Sequence, residues 1–372
     1  MFKHPQKKIP VTKPFFPPIE EYQNYLNGIW EREYITNNGP LVQELEVRLN
    51  KRLGTQNLVF VSNGTIALQI AIKALDIKGE IITTPFSYVA TTSSIVWEGC
   101  KPVFVDIDEK TLNINPDLIE EGITENTKAI LATHVFGNPC DIEAIKKIAD
   151  KHDLKVIYDA SHCFGVTYRG QSIFNYGDIS TTSFHATKLY HTVEGGGIFT
   201  NNEQLKERVQ YMRNFGHDGP GKYNGIGING KNSEVHAAMG LCNLNYVERI
   251  LKSRKQQSLI YDKLFKNNNH IRKQVIFKNT KYNYAYYPVI FENEGLLIET
   301  VVNLETKGIS PRRYFYPTLT ELSYVIGDCP VSARISKKVL CLPLFDDLKY
   351  EQQVIITELL NKRYHNASGW SW

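Results

Sequence analysis

Ser183-Phe184-His185-Ala186-Thr187-Lys188, with Glu194-Gly195-Gly196-Gly197 close behind, decides how this chain is read. An apolar, β-branched stretch, Ile179 to Phe184, leads into it, and Gly197-Ile198-Phe199 leaves it. A lysine set between a strand and a glycine-rich turn is an unusual place for a surface charge. Its amine is well suited to hold an aldehyde as a Schiff base. Twenty-nine residues earlier, Asp159 closes another apolar strand, Leu154-Lys155-Val156-Ile157-Tyr158. A carboxylate ending one strand and a lysine just after another is the pair that pyridoxal phosphate chemistry requires. The acid keeps the pyridine nitrogen protonated, so that the ring draws in electrons, while the lysine carries the aldehyde.

Working outward, similar apolar runs recur at Leu58-Val59-Phe60-Val61, Ile81-Ile82-Thr83-Thr84, Val103-Phe104-Val105 and Ala129-Ile130-Leu131-Ala132. Each is short and apolar on both faces, the pattern of strands in a parallel sheet covered by helices. Helical patterns separate several of them: Thr65 to Ala74, and Ile142 to Lys151 with Ile145, Ile148 and Ala149 on one face. Strand, helix and strand at this spacing predict an α/β fold with a mostly parallel central sheet and right-handed crossovers. Near residue 233 the texture changes. Glu234 to Lys252 reads as one long amphipathic helix, and residues 252–281 form a basic run expected to be a solvated helix face. Tyr284 to Phe291 and Val339-Leu340-Cys341-Leu342 suggest a smaller α+β domain. The expected division is a large domain over 1–232, a linking helix and small domain over 233–364, and a tail over 365–372, disordered or docked by its tryptophans.

Composition narrows the class. At 372 residues, 42% hydrophobic and 22% charged, the chain has the make-up of a globular protein long enough for two domains. A net charge of +4 points to anionic small molecules in preference to nucleic acid. No run of apolar residues is long enough to span a membrane, and the first eight residues lack the apolar core of a secretory signal. Six scattered cysteines form neither a Cys-x-x-Cys pair nor a metal-ligand cluster, so we expect reduced thiols, no metal and a cytoplasmic protein.

The loop Val61-Ser62-Asn63-Gly64-Thr65 joins a strand to a helix whose free N–H groups favour an anion. It reads as a phosphate cradle or as an ordinary capped helix start. Ser183 can serve the same phosphate if both segments flank one turn. In Thr83-Thr84-Pro85-Phe86-Ser87-Tyr88-Val89-Ala90-Thr91, either Phe86 or Tyr88 can stack on a pyridine ring, or pack in the core. His162, three residues past Asp159, reads equally as a partner of the cofactor's phenolic oxygen or as a satisfied histidine.

With these motifs on the page, the chain resembles the DegT/DnrJ/EryC1/StrS family of sugar-nucleotide aminotransferases, fold type I pyridoxal phosphate enzymes, over nearly its whole length. The resemblance is carried by Ser-Asn-Gly-Thr at 62–65, Pro-Phe-Ser-Tyr-Val-Ala-Thr at 85–91, His-Val-Phe-Gly-Asn-Pro at 134–139, Asp-Ala-Ser-His at 159–162, Ser-Phe-His-Ala-Thr-Lys at 183–188 and Gly-Ile-Asn-Gly-Lys at 227–231. Thr36-Asn37-Asn38-Gly39-Pro40 and Arg312-Arg313-Tyr314-Phe315-Tyr316-Pro317 look most like members that make dTDP-4-amino-4,6-dideoxyglucose.

The resemblance implies a role for each matching residue. Lys188 would bind the cofactor and shuttle the proton, Asp159 would pair with the ring nitrogen, Tyr88 would stack on the ring, and His162 would meet the phenolic oxygen. Gly64, Thr65 and Ser183 would hold the phosphate, with Asn229 reaching it from the neighbouring subunit of a homodimer. His185, Arg312, Arg313 and Tyr316 would face substrate. L-Glutamate would supply the amine and a dTDP-linked 4-keto-6-deoxy sugar would receive it, for a surface polysaccharide. Serine at 161 and lysine at 231 depart from the family's usual alanine and arginine, and lysine cannot make a bidentate contact. A 3-amino product, a UDP or GDP carrier, and a non-catalytic cofactor-binding regulator are the alternatives. No helix-turn-helix candidate precedes residue 30 to support the last.

Overall fold

The short apolar runs form strands because helices can cover both of their faces. The computed structural model describes residues 8–367. Seven strands make the central sheet: β1 (Asn57–Val61), β2 (Glu80–Thr83), β3 (Lys101–Phe104), β4 (Thr127–Thr133), β5 (Lys155–Asp159), β6 (Ile179–Ser183) and β7 (Gly196–Thr200). Their spatial order is β1-β7-β6-β5-β4-β2-β3. Strands β2 to β6 pair in parallel, whereas β7 runs antiparallel between β1 and β6.

Alternation along β1 shows how the layers are built. Leu58 and Phe60 join one buried cluster, with α1 (Ile19–Arg32), α2 (Pro40–Leu53) and α5 (Ile142–His152). Val59 and Val61 join the opposite cluster, with α3 (Gly64–Ala74), α4 (Val89–Trp97) and α6 (Glu203–Arg213). Successive strand residues face opposite ways, so one apolar run feeds two cores.

The single helix expected over Glu234 to Lys252 is two helices, α7 (Glu234–Leu244) and α8 (Val247–Leu264). The backbone tightens between them: the Asn245 N–H donates to the Cys242 carbonyl and the Tyr246 N–H to the Asn243 carbonyl, three residues back instead of four. This break lets α7 stay packed on α2 in the first core, while α8 carries Tyr261 into a second one. The basic run expected as a helix face over 252–281 is helical only to Leu264, beyond which it is turns with the short strands Ile271–Arg272 and Thr280–Lys281; within α8 the expected face holds for Lys252, Lys255 and Lys263, which are exposed. It fails for Arg254, which is 2% exposed and donates to the carbonyls of Ala285 (3.0 Å) and Leu344 (3.1 Å).

The C-terminal part has a three-stranded antiparallel sheet, Ile271–Arg272, Tyr287–Phe291 and Val339–Leu342, with the helices Glu294–Thr306 and Tyr350–Ala367. The short strand Ile9–Pro10 also belongs there, paired in parallel with Ile309–Ser310. A further buried cluster, including Phe86, Phe136, Tyr286, Phe315 and Cys341, joins this part to the central sheet. The expected tail begins inside the last helix, whose backbone runs to Ala367; residues 368–372, with both tail tryptophans, and residues 1–7, on which the absence of a secretory signal is read, lie outside the described residues. No helix among the described residues is long and apolar enough to cross a membrane.

Candidate active site

Parallel strands of one sheet end together, and ligands of open α/β sheets bind beyond those carboxyl ends. Here β5 ends at Asp159 and β6 at Ser183, and a cavity of about 490 Å³ opens above them, a volume in the usual range for ligand sites. Nine of the residues singled out by sequence line it: Gly64, Thr65, Tyr88, Asp159, His162, Ser183, His185, Lys188 and Arg312.

One end suits a phosphate. The Asn63 side chain caps α3 by accepting from the Ile66 N–H at 2.8 Å, which leaves the N–H groups of the first turn pointing at the cavity mouth. A side chain at position 64 would place its Cβ 2.9 Å from the Cβ of Ser183. Glycine therefore keeps open the gap between the α3 terminus and the end of β6. The capping reading of this loop is observed, and it leaves room for the cradle reading, because the Asn63 side chain that caps the helix takes none of its earlier amides.

The other end carries the charges. Asp159 Oδ2 accepts from the Thr91 hydroxyl at 2.9 Å, and Oδ1 from the Ser161 N–H at 3.1 Å. Lys188 sits in the turn after β6, its N–H donating to the His185 carbonyl at 2.8 Å. Burial holds its amine down, at about 8; the Asp159 carboxylate pulls it back up and the Arg312 guanidinium pushes it lower. His162 accepts the Phe136 N–H on Nδ1 at 3.2 Å, so its proton lies on Nε2 and the ring is a donor there. Burial, assisted by Lys188, drives its basicity well below that of an ordinary histidine and keeps it neutral. Phe136 and Phe315 lie parallel to it, with centroids 6.2 and 6.0 Å away.

Of the two aromatic candidates, Phe86 is fully buried and meets Phe315 edge-on, whereas Tyr88 is 55% exposed at the start of α4 and lines the cavity. His185 closes the mouth: Nδ1 bonds the Thr187 hydroxyl at 2.8 Å and Nε2 lies 3.5 Å from Glu194. Arg312 stacks over the Tyr314 ring at 4.7 Å and has no ion-pair partner among the described residues.

Three expected site residues stand elsewhere. Arg313 pairs with Glu294 at 2.6 Å and lies 3.4 Å over the Tyr316 ring, so neighbouring Arg312 and Arg313 project to different surroundings, and neither Arg313 nor Tyr316 lines the cavity. Asn229 is exposed and accepts from Lys231 at 2.6 Å, away from the cavity of its own chain. Sequence reasoning missed the hydroxyls of Ser87, Thr91 and Thr133. Two of them sat in a quoted segment, but isolated hydroxyls carry no signal until a carboxylate is seen beside them. Among the described residues no group of three or more His, Cys, Asp or Glu side chains could hold a metal ion.

The cavity fits pyridoxal phosphate: a buried amine, a facing carboxylate, a neutral histidine donor and an anion cradle line one space. Comparison with known proteins agrees. Residues 18–361 match the DegT/DnrJ/EryC1/StrS aminotransferase family. A dTDP-4-amino-4,6-dideoxy-D-glucose transaminase of Shigella dysenteriae is 44% identical over 350 residues, covering 92% of this chain and 95% of that protein. One from Escherichia coli is 40% identical over 369 residues, covering 95% and 98%. The crystal structure of DesI in the presence of its TDP-sugar product superposes with a TM-score of 0.91 at 28% identity, over 98% of this chain and 96% of that one. The chain belongs to the DegT/DnrJ/EryC1/StrS aminotransferase family, whose cofactor is pyridoxal phosphate.

Proposed function

We propose that this enzyme moves an amino group from L-glutamate to dTDP-4-keto-6-deoxy-D-glucose, giving dTDP-4-amino-4,6-dideoxy-D-glucose for a surface polysaccharide. The activity rests on one observation: the Lys188 amine, lowered by burial to about 8, shares a cavity with Asp159 and with the Gly64–Ser183 gap. The choice of sugar and carrier rests on the identity to the two transaminases over nearly the full chain.

Bound pyridoxal phosphate supplies an aldehyde that joins to an amine and a ring that takes up the electron pair of a carbon losing its proton. The protein does the rest. Lys188 Nζ takes the proton from the substrate carbon and returns it; an amine held near 8 is free to accept it without a large cost. Asp159 would hold a proton at the ring nitrogen, and the His162 Nε2–H would donate to the ring's oxygen. Tyr88 would stack on the ring. The amides of Gly64 and Thr65, with Ser183, would hold the phosphate. Arg312, which lines the cavity and has no ion-pair partner among the described residues, would receive the carboxylate of glutamate or the diphosphate of the sugar nucleotide.

We place the enzyme in the cytoplasm as a homodimer, with Asn229 serving the partner's phosphate cradle. Its six cysteines, all buried and unpaired, suit a reducing compartment. The test is turnover with L-glutamate on dTDP-linked 4-keto and 3-keto sugars and on UDP- and GDP-linked 4-keto sugars, with product read by mass. A dTDP-4-amino product that disappears in Lys188→Ala supports the proposal. Equal turnover of another carrier, or retained turnover in Lys188→Ala, overturns it.

A further inference from the structure

The three hydroxyls missed in the sequence form a continuous path. Thr91 Oγ1 lies 2.9 Å from Asp159 Oδ2, Ser87 Oγ lies 2.8 Å from Thr91 Oγ1, and Thr133 Oγ1 lies 2.9 Å from Ser87 Oγ. All three residues are buried. They come from separate elements: Thr133 ends β4 and is the register partner of Asp159 on β5, Thr91 is in the first turn of α4, and Ser87 is in the loop after β2. The convergence therefore belongs to the sheet's carboxyl edge and is invisible along the chain.

Proton counting fixes the direction of the path. An ionised carboxylate only accepts, so Thr91 must donate to it. Each hydroxyl has one proton; with its own spent on Asp159, Thr91 can only accept from Ser87. Ser87, with its proton spent on Thr91, can only accept from Thr133. Every O–H dipole along the path thus points its positive end at Asp159, and hydrogen bonds in such chains polarise one another.

We propose that Thr91, Ser87 and Thr133 are positioning residues that act through Asp159: a one-way chain of donors holding its charge and orientation where the ring nitrogen of the cofactor sits. This rests on the pyridoxal phosphate reading of the site. The other groups that act electrostatically on this corner are Lys188 and Cys163, with His162 and Arg312 acting on Lys188 from beyond. Without the chain, the carboxylate supports the charged ring less well, and the ring holds less positive charge. The Lys188–cofactor linkage then keeps its proton to higher pH, and the ring is a weaker electron sink.

A series arrangement makes a distinctive prediction. With the cofactor-loaded enzyme, the pH midpoint of the bound cofactor's visible absorption band is measured for Thr91→Val, Ser87→Ala, Thr133→Val and their doubles. One charge-assisted hydrogen bond, about 1.5–3 kcal/mol, is worth about one to two pH units if fully transmitted. An upward shift of about half a unit or more is expected for Thr91→Val, with smaller shifts in the same direction for Ser87→Ala and then Thr133→Val. Thr91→Ser, which restores the donor, should bring the midpoint back. In the Thr91→Val background, adding Ser87→Ala or Thr133→Val should change nothing more, because the first link is already cut. The kcat of Thr91→Val should fall about tenfold, with KM for glutamate within about twofold. Additive shifts, or a Thr91→Val midpoint equal to that of the parent, overturn the chain while leaving the cofactor reading intact. A parent enzyme that takes up no pyridoxal phosphate fails the proposed function itself. If Thr91→Val does not fold, the Ser87→Ala, Thr133→Val pair decides: a double mutant equal to Ser87→Ala alone supports the series, and a sum of the two refutes it.

Discussion

The Lys188 amine should capture pyridoxal phosphate with a pH profile far from that of an ordinary lysine. Burial lowers it from 10.5 to about 8, a change of roughly 3 kcal/mol between its charged and neutral forms. At pH 7 an ordinary lysine has about 3 neutral amines in 10,000, while one titrating at 8 has about one in ten, roughly a 300-fold gain in the reactive form. The sign is fixed by the amine's chemistry: protonated it is inert, deprotonated it attacks the aldehyde. In apoprotein mixed rapidly with saturating pyridoxal phosphate, the growth rate of the visible band should rise about tenfold per pH unit below 8 and level off above it. Two substitutions move the midpoint in opposite directions. Asp159→Asn removes the charge that raises it, so the plateau should begin at lower pH; Arg312→Met removes a charge that lowers it, so the plateau should begin higher. A rate that keeps climbing to pH 10 in the parent, or shifts of the wrong sign in either variant, would refute the electrostatic account of this site.

Other outcomes follow from the same geometry. Gly64→Ala, whose Cβ would meet Ser183 at 2.9 Å, should weaken retention of pyridoxal phosphate by about tenfold to a hundredfold, as an overpacking cost of about 1–3 kcal/mol implies; binding of pyridoxal, which lacks the phosphate, should change little, and both are read by fluorescence titration. Arg312→Met should raise KM for glutamate or the sugar nucleotide more than tenfold, whereas Arg313→Met, whose partner Glu294 is outside the cavity, should leave steady-state constants within about threefold and cost no more than about 1 kcal/mol of stability in urea unfolding. Asn229→Ala and Lys188→Ala, each inactive or weakened alone, should recover part of the activity when mixed as unfolded chains and refolded together; no recovery would exclude a shared site.

Much of the fold was legible because each apolar run was bounded by glycine, proline or polar residues and was too short for a helix. Lys188 and Asp159 could be paired on paper since Asp159 closes one strand and Lys188 follows the end of another, and a parallel sheet brings those ends to one edge. The break at Asn245 and Tyr246 was illegible: the apolar period continues through it, and only the need to reach two different cores bends the chain. Arg254 was hidden for a related reason, because a basic run gives no sign that one of its members turns inward to bind Ala285 and Leu344 carbonyls. Arg312 and Arg313 look interchangeable in a list of residues, and only the backbone between them sends one side chain to the cavity and the other to Glu294. Thr91 lay in plain view, but its meaning depends on a carboxylate 68 positions away.

The strand Ile9–Pro10 has its partner at Ile309–Ser310, 300 positions downstream. A ribosome adding about 5–20 residues per second makes the first segment wait about 15–60 s before its mate exists. Throughout synthesis the growing polypeptide therefore trails an unsatisfied backbone edge, and the clasp that ties its beginning to the C-terminal layer is among the late contacts to form.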